Sequence, residues 1–97
     1  MSAIMISTFN VKNPEKFQAY MAETRRVAGP HGAEMVFSGT LNRALDSAGD
    51  APERAVVVRF PNVEAINAWF DSEEYQALVP LREEAADMTM LSYSPNS

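Results

Sequence analysis

The sequence contains no cysteine, one histidine and only four glycines among its 97 residues. The lack of cysteine excludes disulfide bonds, thiolate catalysis and metal centres held by cysteine. With a single imidazole, neither a catalytic triad nor a conventional metal centre can be assembled from the sequence. No glycine-rich phosphate loop is present, so nucleotide cofactors are not indicated. We therefore expect no metal and no cofactor.

Positive charge is also scarce, because 8 lysines and arginines stand against 13 aspartates and glutamates, for a net charge of -5. Phosphate backbones and anionic lipid surfaces both attract basic proteins, so we expect neither nucleic acid nor a membrane as a partner. The first ten residues, MSAIMISTFN, have no basic region and become polar at Ser7. They predict neither a signal peptide nor a spanning helix, and we expect a cytoplasmic protein.

What the chain does contain is one set of alternating strand and helix signals, which predicts a single domain over residues 1–97. Asn13-Pro14 and Asn62 are typical helix starts, Gly29-Pro30 ends the first helix, and Pro80 should break or kink the last helical segment. Strands are predicted over residues 4–9, 34–39, 55–60 and 88–93, the second resuming over 42–45, and residues 94–97 form a frayed tail.

The resulting order, βαββαβ, predicts the ferredoxin-like arrangement, a two-layer α+β sandwich with a four-stranded antiparallel sheet and both helices on one face. The stretch AVVV then needs an explanation, because both faces of the third strand are apolar: Val56, Val58 and Phe60 on one, Ala55, Val57 and Arg59 on the other. We expect a homodimer that packs its uncovered sheet faces together. The alternative is that β-branched residues are simply favoured in half-exposed strands.

The stretch GDAPERAVVVRFPNVEAINAWFDSEEYQALVPLR, residues 49–82, resembles the DUF1330 family, and His31-Gly32 falls where that family has the same pair. The resemblance implies the ferredoxin-like fold of the dimeric α/β-barrel superfamily and dimerisation through the sheets. It implies no established reaction, although the wider superfamily includes cofactor-free monooxygenases and small-molecule isomerases. Arg59 departs from the pattern, since many members have an acid there. If this position lines a cleft, Arg59 is a ligand-binding candidate that changes the preferred ligand charge.

His31 lies in the loop GPHGA, between the first helix and the second strand. An imidazole has a pKa near neutrality, which suits a general base or a proton shuttle, so His31 is a candidate catalytic residue. The alternative is a structural role, in which the imidazole caps a carbonyl at the helix end.

Arg54 and Arg82 are candidate ligand-binding residues, because each can place a guanidinium at the mouth of the space between helices and sheet. There it would bind a carboxylate or phenolate. The alternative is a structural ion pair with one of the nearby acids, Asp50, Glu53, Glu83 or Glu84.

Trp69, Phe70 and Tyr75 form an aromatic group near the junction of the C-terminal helical segments. Trp69 is a candidate pocket residue for a flat apolar ligand, and Tyr75 a candidate catalytic acid. The alternative is that these aromatic residues belong to the core. Tyr20, on the first helix, is a second phenol that can face the same space.

These features favour a small homodimeric protein that binds a small molecule in a cleft between helices and sheet. The alternatives are a cofactor-independent enzyme of monooxygenase or isomerase type, and a purely structural or interaction module.

Overall fold

The computed structural model describes residues 2–49 and 51–96. Its elements are β1 (Ala3–Val11), α1 (Pro14–Ala28), β2 (Glu34–Thr40), β3 (Arg54–Phe60), α2 (Val63–Asp71), α3 (Glu73–Gln76), α4 (Val79–Ala85) and β4 (Ala86–Tyr93). A short 3-10 turn, Gly29–His31, follows α1. Of the predicted tail, residues 94–96 belong to no helix or strand, whereas Ser97 lies outside the described residues, as does Asp50.

Both predicted asparagine caps begin helices. The Oδ1 atom of Asn13 accepts a hydrogen bond from the backbone N–H of Lys16 at 3.1 Å, ahead of Pro14 at the first helical position. The Oδ1 atom of Asn62 accepts from the N–H of Ala65 at 2.8 Å. Each cap satisfies a backbone donor that has no partner within the helix, so the chain turns sharply from sheet to helix.

The four strands form one antiparallel sheet in the order β2-β3-β1-β4. Strands β1 and β3 lie at the centre, where β1 residue Ile6 pairs with Val57 on one side and Leu91 on the other. Side chains from α1 and α2 pack on the same sheet face in one core cluster. The predicted ferredoxin-like fold is therefore confirmed.

The predicted continuation of the second strand over residues 42–45 is wrong. The last ladder contact is the hydrogen bond from the N–H of Leu41 to the carbonyl oxygen of Glu53, at 2.7 Å. The N–H of Glu53 returns no bond to Leu41, because it donates to the Oδ1 atom of Asn10 at 2.7 Å, and the ladder ends here. Residues 41–44 consequently run as irregular chain.

Pro80 lies where the helical segment is broken, as predicted, and it also takes part in the start of the next helix. The helical segment is broken, since α3 ends at Gln76 and α4 begins at Val79. Pro80 lies in the first turn of α4, where its missing N–H has no intrahelical partner to lose. The proline therefore starts a helix, and this new helix carries Arg82 back towards the core.

The two sheet faces differ sharply in their surroundings. The inner face, under the helices, is contributed by alternate residues of the central strands, including Met5, Ser7, Phe9, Val56 and Phe60, all buried. The outer face carries a row of apolar side chains that runs across all four strands: Phe37, Val57, Ile6 and Leu91. Phe37 and Leu91 are 56% and 49% exposed, so no residue that the structure describes covers these two ends of the row.

A β-bulge decides which face Phe37 joins. Met35 pairs with Val58 on the inner face, whereas Phe37, two residues later, pairs with Val57 on the outer face. The extra residue between them shifts the register and reverses the alternation. The ring of Phe37 consequently lies over Gly39, whose missing side chain leaves room for it.

No helix in the described part of the chain is long and apolar enough to cross a membrane.

Candidate functional site

A cavity of about 150 Å³ lies between α1 and the inner face of the sheet. Its floor includes Ser7 and Val56, its far wall includes Trp69, and Tyr20 and Thr24 line it from α1. Arg25 and Met35 also line it, and both are exposed, which places the cavity mouth beside them. The cavity opens at the end of α1 next to the edge strand β2.

Small side chains leave this space unfilled. Ser7 is buried on the inner face between Met5 and Phe9, two much larger residues. Ala28 and Ala33 line the cavity where the chain passes from α1 to β2. Dense packing is the rule in protein interiors, so an unfilled apolar space of this size in a small domain is a binding-site candidate.

A hydrogen-bonded cluster lies beside the cavity. We call it the tyrosine–arginine cluster, and it consists of Tyr20, Tyr75, Arg82 and Met90. The hydroxyl oxygens of Tyr20 and Tyr75 are 2.7 Å apart, and the Nη1 atom of Arg82 donates to the Tyr75 oxygen at 2.9 Å. The Sδ atom of Met90 lies 3.4 Å from the Tyr75 hydroxyl and 3.3 Å from Arg82 Nη1.

The cluster joins distant parts of the chain, since its members come from α1, α3, α4 and β4. Tyr20 and Met90 also line the cavity, so the cluster forms part of its wall. Burial raises the pKa of the Tyr20 phenol well above its usual range, and the adjacent Tyr75 raises it further. Tyr20 therefore stays protonated at any physiological pH and can serve as a hydrogen-bond donor.

Trp69 packs the cluster against the rest of the core. Its ring centroid is 4.5 Å from that of Tyr75 and 5.5 Å from that of Phe60, and the side chain is only 2% exposed. Its indole Nε1 is nevertheless buried without a hydrogen-bond partner among the described residues, as is the Oγ1 atom of Thr24. Because buried donors are normally paired, these two atoms mark an incomplete polar environment.

Three of the sequence candidates come together at this site. Tyr75 and Arg82 are hydrogen-bonded, and the Trp69 ring stacks on that of Tyr75. Trp69 is buried in the core and also lines the cavity, so its position agrees with both the core and the pocket interpretations. Tyr20, named as a second phenol that can face the same space, joins them through its hydroxyl. Arg82 donates a hydrogen bond to the Tyr75 hydroxyl, and it is not among the residues that line the cavity.

The other three candidates lie elsewhere. His31 ends the 3-10 turn after α1 and is not among the residues that line the cavity. Arg54 is exposed at the start of β3 and forms no ion pair within the described residues, which do not include Asp50. Arg59 lies on the outer sheet face, where its Nη2 atom pairs with the Oε1 atom of Glu34 at 2.8 Å.

Sequence reasoning missed Ser7, Thr24 and Met90. Ser7 had a readable signal, because it is the one polar residue among the inner-facing positions of β1, between Met5 and Phe9. Thr24 follows Tyr20 by four residues and therefore lies on the same side of α1. Met90 had no signal, since a methionine in a strand is ordinarily core.

The described residues contain no group of three or more histidine, aspartate or glutamate side chains that could hold a metal ion. Among the cavity-lining residues the only titratable groups are Tyr20 and the exposed Arg25. The arrangement is thus suited to an apolar ligand that meets a few hydrogen-bond donors.

The fold and the cavity define this chain as a ferredoxin-like α+β protein with a small internal apolar site. It belongs to the DUF1330 family, a domain of unknown function, whose model matches residues 2–93. A comparison with curated protein sequences found no match.

Solved structures with the same fold confirm the architecture. A protein of unknown function from Rhodopseudomonas palustris, RPA0582, is 16% identical, with a TM-score of 0.81, over 99% of this chain and 83% of its own. A dimeric ferredoxin-like protein of unknown function from Jannaschia sp. is 11% identical, with a TM-score of 0.72, over 98% and 100%. SnoaB of Streptomyces nogalater, a cofactor-independent oxygenase, is 9% identical, with a TM-score of 0.69, over 99% and 94%. At these identities the likeness shows the fold alone.

Proposed function

We propose that this protein is a homodimer in which each subunit binds one small apolar molecule in the cavity between α1 and the sheet. The observation that carries the proposal is the cavity itself, an unfilled space of about 150 Å³ walled by methionine, valine and aromatic side chains. Apolar cavities of about this volume stay dry and take up benzene-sized molecules. The proposed ligand is therefore no larger than a single substituted ring.

Position and lining both support binding. The cavity opens beside Arg25 and Met35, so a ligand can enter without unfolding the core. The walls offer dispersion contacts from Met5, Val56 and Met88, while polar side chains are few. Binding sites for small molecules commonly have this composition, a mostly apolar wall with a small number of orienting polar groups.

The outer sheet face supports the homodimer. The row Phe37, Val57, Ile6 and Leu91 forms one exposed apolar surface across the sheet, a kind of patch that soluble monomers rarely retain. A second copy packed sheet to sheet would bury it on both subunits at once. The Jannaschia protein of the same fold is dimeric, which agrees with this arrangement.

A cofactor-independent enzyme is the second candidate function. The observation that favours it is the buried chain from Arg82 through Tyr75 to Tyr20, which brings groups able to donate protons up to the cavity wall. Of the candidate catalytic residues, this version of the proposal uses Tyr75, acting through Tyr20, and leaves His31 outside the site.

Ligand binding is tested by filling the cavity. Ser7→Leu should place an apolar side chain into the space and abolish the heat of binding of a single-ring probe such as toluene, measured by titration calorimetry. Gln18→Leu is the matched control, because Gln18 is exposed on α1 and its replacement should leave binding unchanged. Absence of toluene binding to the unaltered protein, or equal binding by Ser7→Leu, would contradict the proposal.

The dimer is tested by charge on the outer face. Leu91→Asp places a carboxylate at the β4 end of the apolar row and should convert the dimer to a monomer in light scattering after size-exclusion chromatography. The Gln18→Asp variant adds the same charge away from the sheet and should remain dimeric. A monomeric mass for the unaltered protein at micromolar concentration would refute the dimer.

A further inference from the structure

The direction of one hydrogen bond in the tyrosine–arginine cluster is fixed by chemistry, and it favours a direction for the next. A guanidinium has donors only, so the Tyr75 oxygen accepts from Arg82 Nη1 at 2.9 Å. The proton of Tyr75 then has two neighbours, the Tyr20 oxygen at 2.7 Å and the Met90 Sδ at 3.4 Å. A phenol oxygen is the better acceptor, and the sulfur already lies 3.3 Å from Arg82 Nη1. The stronger of the two hydrogen bonds open to the Tyr75 proton is therefore the one that it donates to Tyr20.

This order leaves the proton of Tyr20 without a partner in the cluster. Tyr20 accepts from Tyr75, and its own O–H is free to point away from it. Tyr20 lines the cavity, and its phenol is held in the protonated form by burial and by Tyr75. The chain of hydrogen bonds from Arg82 thus ends in a donor at the cavity wall.

A second donor at the same cavity has no partner among residues 2–49 and 51–96. The indole Nε1–H of Trp69 can only donate, it is buried, and Trp69 lines the cavity. Trp69 is 2% exposed, so water outside the fold does not satisfy this group. The Oγ1 atom of Thr24 is also buried without a partner and lines the same space. The cavity wall therefore carries two donors, the Tyr20 O–H and the Trp69 N–H, beside the Ser7 and Thr24 hydroxyls, which can donate or accept.

We infer that the cavity takes an uncharged carbonyl compound with an apolar body about the size of one aromatic ring, and that Tyr20 donates a hydrogen bond to its oxygen. This inference rests on the proposed small-molecule function and names the class of the ligand. A carbonyl oxygen has two lone pairs and no proton, so it can accept from the Tyr20 O–H and the Trp69 N–H. A carboxylate fits less well, because Arg25 is the only charged side chain among the described lining residues and is exposed, and burying an unpaired ion is costly.

The test uses two probes of nearly equal shape, acetophenone and α-methylstyrene, which differ in having C=O or C=CH2. Each is titrated by calorimetry into the full-length protein and into Tyr20→Phe. The variant should bind acetophenone about fivefold more weakly, as expected for one lost hydrogen bond, and α-methylstyrene within about twofold of the unaltered protein. The infrared C=O stretch of bound acetophenone should rise in frequency in the variant.

Two variants at Arg82 test the direction of the chain without changing the cavity wall. In Arg82→Met, the Tyr75 oxygen loses its donor and accepts from Tyr20 instead. The affinity for acetophenone should therefore fall as it does in Tyr20→Phe. Arg82→Lys retains a donor and should keep the affinity for acetophenone relative to α-methylstyrene, provided that far-UV circular dichroism shows an unchanged fold.

The outcomes separate the two claims. If neither probe binds the unaltered protein, small-molecule binding at this cavity fails, and the inference fails with it. If both probes bind and Tyr20→Phe weakens them equally or not at all, the cavity binds ligands but the carbonyl inference is overturned. A selective loss of acetophenone in both Tyr20→Phe and Arg82→Met supports it.

Discussion

Tyr75→Phe is the substitution that should reveal most about the core, because the hydroxyl that it removes has two polar partners. The Tyr75 side chain is fully buried, accepts from Arg82 Nη1 at 2.9 Å and lies 2.7 Å from the Tyr20 oxygen. A hydrogen bond to a charged group contributes about 1.5 to 3 kcal/mol, and one between neutral groups about 1 kcal/mol. Arg82 is only half-buried, so water recovers part of the first contribution. The expected loss is about 2 to 3 kcal/mol of unfolding free energy.

Tyr20→Phe should cost less, about 0.5 to 1.5 kcal/mol, because Tyr75 can turn its proton to the Met90 sulfur at 3.4 Å and keeps its bond from Arg82. The double variant should be close to Tyr75→Phe alone, since the Tyr20–Tyr75 bond is already absent in that variant. The coupling energy of the double-mutant cycle should be about 1 kcal/mol.

The assay is urea unfolding, followed by far-UV circular dichroism and by the fluorescence of the single tryptophan, Trp69. Protomer concentration must be held constant, because dimerisation would add to the apparent stability. The urea midpoints of the variants are compared, and not the fluorescence amplitudes. The amplitude depends on the ring of residue 75, because Trp69 stacks on it with ring centroids 4.5 Å apart. If Tyr20→Phe costs as much as Tyr75→Phe, or if the two losses add, the direction argued for the cluster is wrong.

Three further substitutions test other parts of the structure. Gly32 has φ +82°, and an added Cβ would lie 2.7 Å from the Cγ of Pro61, so Gly32→Ala should lose at least about 1 to 2 kcal/mol in urea unfolding. Gly29→Ala, where a Cβ would meet nothing within 4 Å, should be neutral or stabilising, and equal losses would contradict the argument. Asn62→Ala removes the cap of α2 and should cost about 1 kcal/mol in the same assay, whereas Asn62→Asp should retain most of the stability. His31→Ala should leave toluene binding unchanged in calorimetry because His31 does not line the cavity, and a large loss of affinity would return it to the site.

The helix boundaries were the most predictable features, because their causes are local. An asparagine followed by proline at residue 13, or by an apolar helical pattern at residue 62, specifies a helix start through contacts within four residues. The two apolar faces of β3 were equally readable, since side-chain alternation in a strand depends only on the backbone. The prediction that the second strand continues over residues 42–45 was wrong, because a strand needs a hydrogen-bonding partner. That partner is a distant part of the chain, and its contact with this segment ends at Leu41 and Glu53.

The sequence by itself determined the order of elements, the bare outer face and the residue types available for a site. Only the tertiary structure decided which of them meet. Tyr20, Tyr75 and Arg82 come from three helices, and the two phenols are 55 residues apart, so their contact depends on how the helices pack on the sheet. Strand register places Arg59 on the outer face of the sheet, away from the cavity. Local signals specify elements, but a site is a set of long-range distances, and these are fixed only when the core is packed.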